Sequence, residues 1–136
     1  MIIRKYVEHD RNGLIQLWSE SFPDGPPHND PSKVIEAKRQ VDDQIFVADD
    51  KGKVVGACMA GYDGVRGWLY SVAVTPDQQR RGIGQKLIQV AMEALKDLGC
   101  VKVNLQIRAS NHEVIAFYES LGFGIEERIS MGTFLE

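Results

Sequence analysis

The segment Gln79-Arg80-Arg81-Gly82-Ile83-Gly84 carries the residue types best suited to chemistry in this chain, and it joins a β-rich run to a helix-forming run. The first N–H groups of a helix lack intrahelical acceptors and lie at the positive end of the helix dipole, so an anion is stabilised there. Glycine at 82 and 84 lets the backbone come close to a phosphate. Arg80 and Arg81 add charge-assisted donors. Plain helix–strand packing explains the same glycines equally well. With 13 glycines in 136 residues, a Gly-x-Gly arises about once by chance, and Gly122-Phe123-Gly124 reads as a structural instance. A third glycine is missing, which disfavours a dinucleotide fingerprint. No Gly-Lys-Ser/Thr follows, which excludes a P-loop.

Groups able to take a proton are scattered: Glu20, Asp24 and His28 around a proline-rich stretch and Asp63 in Asp63-Gly64, while His112 reads as helix surface. Each reads first as a solvated surface or turn residue. Cys58 and Cys100 have neither CxxC nor Cys/His spacing, so no metal site is expected and both read as small buried hydrophobes.

The elements that must position these groups follow from periodicity. Ile2–Val7 reads as a strand. Asp10 reads as the cap of a helix whose stripe is Leu14, Ile15, Leu17, Trp18 and Phe22. Pro23–Pro31, with Pro23, Gly25, Pro26 and Pro27 inside it, forbids regular structure. Asp30-Pro31 then opens a more polar helix running to about Gln40. Gln44–Ala48, Lys53–Tyr62 and Gly67–Val74 read as strands separated by turns at Asp49–Gly52 and Asp63-Gly64. Gly82–Leu98 is the strongest helix pattern, with Gly99 as its stop. Val101–Ile107 alternates, with Val101, Val103, Leu105 and Ile107 on one face. A short helix follows Ser110-Asn111 and ends at Gly122. Gly124–Ile129 and Met131–Leu135 read as two terminal strands.

The order is that of an α/β chain, with a mixed twisted sheet of about six to seven strands and about four helices. The unit around helix Gly82–Leu98 favours parallel neighbours. The length fits a single domain over residues 1–136. Hydrophobic residues at 43%, charged residues at 26% and a net charge of −3 are ordinary for a water-soluble globular chain and point to no nucleic-acid partner. The start MIIRKYVEHD turns polar at once and reads as no signal peptide. The longest apolar run, Val54–Tyr62, is far short of the ~20 residues a span requires, so no membrane partner is expected. A cytoplasmic location follows from the cysteine usage.

The longer string Val72-Ala73-Val74-Thr75-Pro76-Asp77-Gln78-Gln79-Arg80-Arg81-Gly82-Ile83-Gly84 resembles the acetyl-CoA motif of the GNAT superfamily of N-acetyltransferases, a hydrophobic–small–Val strand end followed by Q/R-x-x-G-x-G/A. Asn111, Phe117-Tyr118 and Gly122-Phe123 resemble that family's second motif. The stretch Gly61–Gly67 is similar to the small bacterial YpeA-type acetyltransferases.

The resemblance implies an N-acetyltransferase that moves an acetyl group from acetyl-CoA to a primary amine of a small molecule or protein, directly, in a ternary complex. It implies a splayed parallel strand pair holding the cofactor, and it admits a homodimer. Val72, Ala73 and Val74 would pair with the pantetheine arm through their backbone. The backbone of Gln79, Arg80, Arg81, Gly82, Ile83 and Gly84 would hold the pyrophosphate. Asn111 would bind the cofactor or the splayed strand, and equally reads as a helix cap. Tyr118 would stand at the thioester sulfur. A phenol, with a pKa near ~10, is protonated at neutral pH and can donate to the departing thiolate. Many relatives place a glutamate base two residues before the Val72–Val74 triplet. Here that position is Tyr70, which leaves the base unassigned. Two other readings stay open: a non-catalytic acyl-CoA-binding regulatory module, and an unrelated nucleotide-binding domain.

Overall fold

The computed structural model describes residues 1–135 and divides into two compact units, Met1–Gln106 and Ile107–Glu136. In the first unit the order is β1 (Ile2–Lys5), α1 (Arg11–Ser21), α2 (Pro31–Val41), β2 (Ile45–Asp50), β3 (Lys53–Tyr62), β4 (Gly67–Val74), α3 (Ile83–Asp97) and β5 (Val103–Asn104). The five strands form one sheet in the order β1-β2-β3-β4-β5. The first three pairings are antiparallel and β4–β5 is parallel. The mixed α/β class and the parallel pair around α3 match the expectation from sequence.

Helices cover both faces, so the central strands are apolar throughout. Leu14, Leu17 and Trp18 of α1 and Ile35 of α2 pack with Ile45, Val47, Ala57 and Met59 in one buried cluster. Ile83 and Leu87 of α3 close on β3, where a Cβ on Gly56 would lie 3.0 Å from a Leu87 methyl and 3.2 Å from Ile83. Glycine is required there for close approach. Gly99, with φ +98, ends α3. Gly99 N–H donates to Lys96 C=O and Cys100 N–H to Leu95 C=O, the paired bonds of a Schellman cap. Cys58 and Cys100 are free and buried, and burial pushes the Cys58 thiol up to about 12.

The second unit contains α4 (His112–Ser120). Gly122, at φ +96, ends it, with Gly122 N–H on Glu119 C=O and Phe123 N–H on Tyr118 C=O.

Several expectations are corrected. The strand expected over Val101–Ile107 forms only at Val103–Asn104, and Val101 is 93% exposed. Alternation marks a stretch able to be a strand, but only a partner ladder makes it one. The same reason removes the strands expected at Gly124–Ile129 and Met131–Leu135: no ladder forms there among the described residues, and Ile129, Met131 and Leu135 are exposed. The sheet therefore has five strands rather than six or seven.

Asp10 stands at the N-cap position of α1 as expected, but its side chain makes no cap bond to that helix. It accepts both guanidinium nitrogens of Arg4, at 2.8 and 2.9 Å, and the Val7 N–H at 2.9 Å. This ties β1 to the entry of α1. Burial alone would raise the Asp10 carboxyl. The Arg4 and Val7 hydrogen bonds outweigh burial and hold it below the usual carboxylate range.

A depressed folded value means that the stabilisation is complete above the ordinary carboxylate pKa of about 4. It is lost as pH falls through the folded value. Replacing Arg4 with Met leaves a buried carboxylate unpaired and should cost about 2 kcal/mol at pH 7. Urea melts from pH 7 to pH 3 should show the gap between wild type and Arg4→Met closing on acidification. A constant gap would contradict the assignment.

Candidate active site

β4 pairs with β3 from Gly67 to Val74, but β5 meets β4 only at Gly67 and Trp68. From Leu69 onward the outer edge of β4 has no strand beside it among the described residues. Thr75 N–H donates to Val55 C=O across β3 at 2.9 Å. Period-two alternation therefore turns the backbone groups of Val74 and Val72 to the open edge and those of Ala73 back toward β3. Consistent with this, the Val74 carbonyl accepts from the Gln79 side-chain amide at 3.1 Å.

The register of β4 against β3 shifts between Ala57 and Met59, and Ser71 opposite that step has φ +55. This is a β-bulge, which bends a strand and re-aims its edge. The bulge is held from α1, because the Trp18 indole N–H donates to the Ser71 carbonyl at 2.9 Å. Sequence reading placed Trp18 in an apolar stripe only. Its amphipathic ring was the signal that it would seek such a partner.

Residues 79–84 lead from this edge into α3. Arg80 has φ +68 and Gly82 φ +78. Left-handed residues alternating with an ordinary one converge successive N–H groups into an anion-binding concavity. Gly82 is the N-cap and no side chain caps α3. The N–H groups of Gly82, Ile83, Gly84 and Gln85 find no acceptor among the described residues, while Lys86 N–H closes the first helical bond onto Gly82 C=O. Arg80, Arg81 and Gly82 are exposed and Ile83 is buried. One side chain thus anchors the turn in the core and its donors face outward.

Asn111 and Tyr118 belong to the second unit. Asn111 is the N-cap of α4, its side-chain oxygen accepting the Val114 N–H at 3.3 Å. The capping reading is thereby met. Tyr118 is buried, 8% exposed, with its ring edge-on to Phe117 and Phe123 at 5.1 and 5.4 Å. The Phe123 contact accompanies the helix stop, because Phe123 N–H bonds Tyr118 C=O.

The scattered candidate bases fare differently. Asp63 accepts the N–H groups of Arg66 and Val65, at 2.7 and 2.8 Å. Those bonds hold its carboxyl below the usual range, making it a turn residue and a weak base. Glu20 lines a cleft of about 330 Å³ with His9, Gln16 and Asp77. Asp24 is an exposed loop residue, His28 is exposed within a short 3-10 turn over Pro27–Asn29, and His112 is exposed at the start of α4. Tyr70 is 39% exposed on β4. Among the described residues no cluster of His, Cys, Asp or Glu has the geometry of a metal site, and no helix is long and apolar enough to cross a membrane.

Comparison with known proteins accords with this geometry. Residues 11–123 match the model of the acetyltransferase (GNAT) family. The chain is 40% identical over 130 residues to an acetyltransferase of Sodalis glossinidius, covering 95% of this chain and 91% of that protein. It is 39% identical over 133 residues to one of Pectobacterium atrosepticum, covering 97% and 94%. Among solved structures it is similar to an aminoglycoside N-acetyltransferase in complex with CoA, with a TM-score of 0.82 at 19% identity over 98% of this chain and 93% of that one. It is also similar to Ard1 from Thermoplasma volcanium, with a TM-score of 0.81 at 22% identity over 92% and 83%. At these identities the structures speak for the fold alone.

Gly82→Ala tests the turn. No atom lies within 4 Å of the added Cβ, so the cost is conformational, about 1–2 kcal/mol for a left-handed non-glycine residue. If the turn relaxes to avoid it, its donors diverge. Calorimetry should then show roughly tenfold weaker binding of CoA. Unchanged affinity would separate the turn from anion binding.

Proposed function

As the chain belongs to the acetyltransferase (GNAT) family, we propose that it moves an acetyl group from acetyl-CoA to a primary amine, directly, in a ternary complex, as one N-acetyltransferase domain over residues 1–136. The observation that carries the reading is the unpaired edge of β4 running straight into a helix start whose N–H groups are unsatisfied. An edge strand accepts an extended amide-bearing chain as an added strand, and a helix N-terminus accepts a phosphate. Pantetheine and pyrophosphate present these two groups in series.

On this reading Val72 and Val74 pair with the pantetheine amides and Ala73 keeps the strand tied to β3. Binding displaces the Gln79 amide from the Val74 carbonyl. The backbone from Gln79 to Gly84 receives the pyrophosphate, with the exposed arginines 80 and 81 adding charge. Asn111 fixes the start of α4, and α4 carries Tyr118. The amine nitrogen attacks the thioester carbonyl carbon, the C–N bond forms and the C–S bond breaks. The phenolic proton of Tyr118 passes to the departing sulfur, and the proton lost by the amine goes to water. The aromatic contacts of Tyr118 with Phe117 and Phe123 support the role by fixing the ring, since a proton donor works only at hydrogen-bond distance. Two free, buried cysteines suit a reducing, cytoplasmic setting.

Incubation with acetyl-CoA and a panel of primary amines, read by free thiol, should show amine-dependent release. Tyr118→Phe should lower kcat by about 10²-fold while the CoA dissociation constant stays within about twofold. Full turnover in the variant would remove Tyr118 from the chemistry. Tight CoA binding without thiol release across the panel would favour a non-catalytic acyl-CoA-binding module.

A further inference from the structure

A buried lysine lies beside the strand position left without a base. Lys38, on the inward face of α2, is 9% exposed. Its ammonium donates to Asp42 at 2.9 Å, to the Ala60 carbonyl at 2.6 Å, and to the Tyr70 hydroxyl at 3.4 Å. It also stands 5.7 Å from the centre of the Tyr70 ring. An ammonium has three donors and no acceptor, so all three of its protons are committed and its charge is balanced by Asp42.

The phenol is held from below as well. Tyr70 faces Met59 across β3 and leans over Gly61, its diagonal neighbour, where a Cβ would come within 2.6 Å of the hydroxyl oxygen. Only glycine at 61 lets the ring cross β3 to reach Lys38.

This geometry fixes the direction of one proton. The Tyr70 oxygen accepts from Lys38, so its own O–H points elsewhere. No described residue takes that proton. Accepting a charged donor also strengthens the O–H as a donor. Tyr70 is more than a third exposed and lies two residues before Val72, where the open edge of β4 runs.

We propose that Tyr70, positioned by Lys38, is the acceptor-recognition residue, and that it selects amines carrying a carbonyl or carboxylate oxygen close to the nitrogen. A hydroxyl whose oxygen already accepts from Lys38 gives a hydrogen bond rather than taking the amine proton. The inference rests on the acetyltransferase reading above and deepens it by naming the substrate class. Tyr70 touches the substrate; Lys38 acts through Tyr70 and is a positioning residue.

The test compares isopropylamine with alaninamide, which share a branched amine and differ in the carbonyl group. Wild type should prefer alaninamide in kcat/KM. Tyr70→Phe should lower kcat/KM for alaninamide roughly tenfold, mainly through KM, with isopropylamine and the KM for acetyl-CoA unchanged. Lys38→Met keeps the buried stem and should weaken alaninamide selectively. Lys38→Arg, which keeps a donor, should restore part of it. A thermal melt identifies a Lys38 variant that fails to fold, in which case Tyr70→Phe decides alone. Equal loss for both amines, or a kcat loss with a displaced pH–rate limb, overturns the proposal and makes Tyr70 a general catalytic group. Wild type acetylating both amines without preference overturns this inference alone. Wild type that neither binds CoA nor releases thiol overturns the acetyltransferase reading itself.

Discussion

An unpaired strand edge is the constraint from which the rest of this structure takes its sense. β5 leaves β4 after Trp68, and the strand runs on to Val74 with no strand on that side among the described residues. Backbone amides on an open edge lose a ladder bond and gain only water, so a fold keeps such an edge where something else is to pair with it. The structure around it is built to hold that edge still. β3 pairs with its inner side on both sides of the bulge, Leu69 and Ala73 anchor it in the core, and the Trp18 indole fixes the carbonyl at the bulge.

Left-handed backbone recurs in the same place, although it also occurs at the Lys51-Gly52 turn and at other glycines. Ser71, Arg80 and Gly82 all have positive φ within twelve residues, and two of the three are not glycine. The two that are not glycine each cost on the order of 1–2 kcal/mol and persist only where their surroundings dictate it. The surroundings are rigid here: Ile83, Leu87, Ile88, Ala91 and Leu95 form the continuous buried stripe of α3. A helix so anchored can present a strained, solvent-facing first turn without unravelling. On the proposed reading, stability and function are divided along one helix, the inward stripe supplying the first and the exposed N-terminus the second.

How far the amino acids alone disclose this varies with range. The α3 stripe, its stop at Gly99, the turn at Asp63-Gly64 and the Asp30 cap with Pro31 behind it are local patterns, and all were legible. The glycine turn over residues 79–84 was legible as a motif, and the structure adds the left-handed φ of Arg80 that no side chain announces. What escaped depends on distant pairing. Val101 alternates correctly yet finds no partner. Residues 124–135 have strand-like patterning but no ladder. The Asp10 carboxylate binds Arg4, six residues away, and the Val7 N–H rather than the first turn of its own helix. Lys38 does not stand out within the polar helix pattern, although it follows Ile35 by three positions on the inward stripe. A lone cation at that spacing is the signal that would have found it.

The central claim is that the open edge of β4 takes up the coenzyme's amide arm, and backbone amide hydrogen exchange followed residue by residue tests it most directly. Addition of saturating CoA should slow exchange at Val72 and Val74 and across Gly82 to Gly84. Thr75, already bonded to Val55, should be unchanged. Binding of CoA with no added protection at Val72 and Val74 would contradict the account.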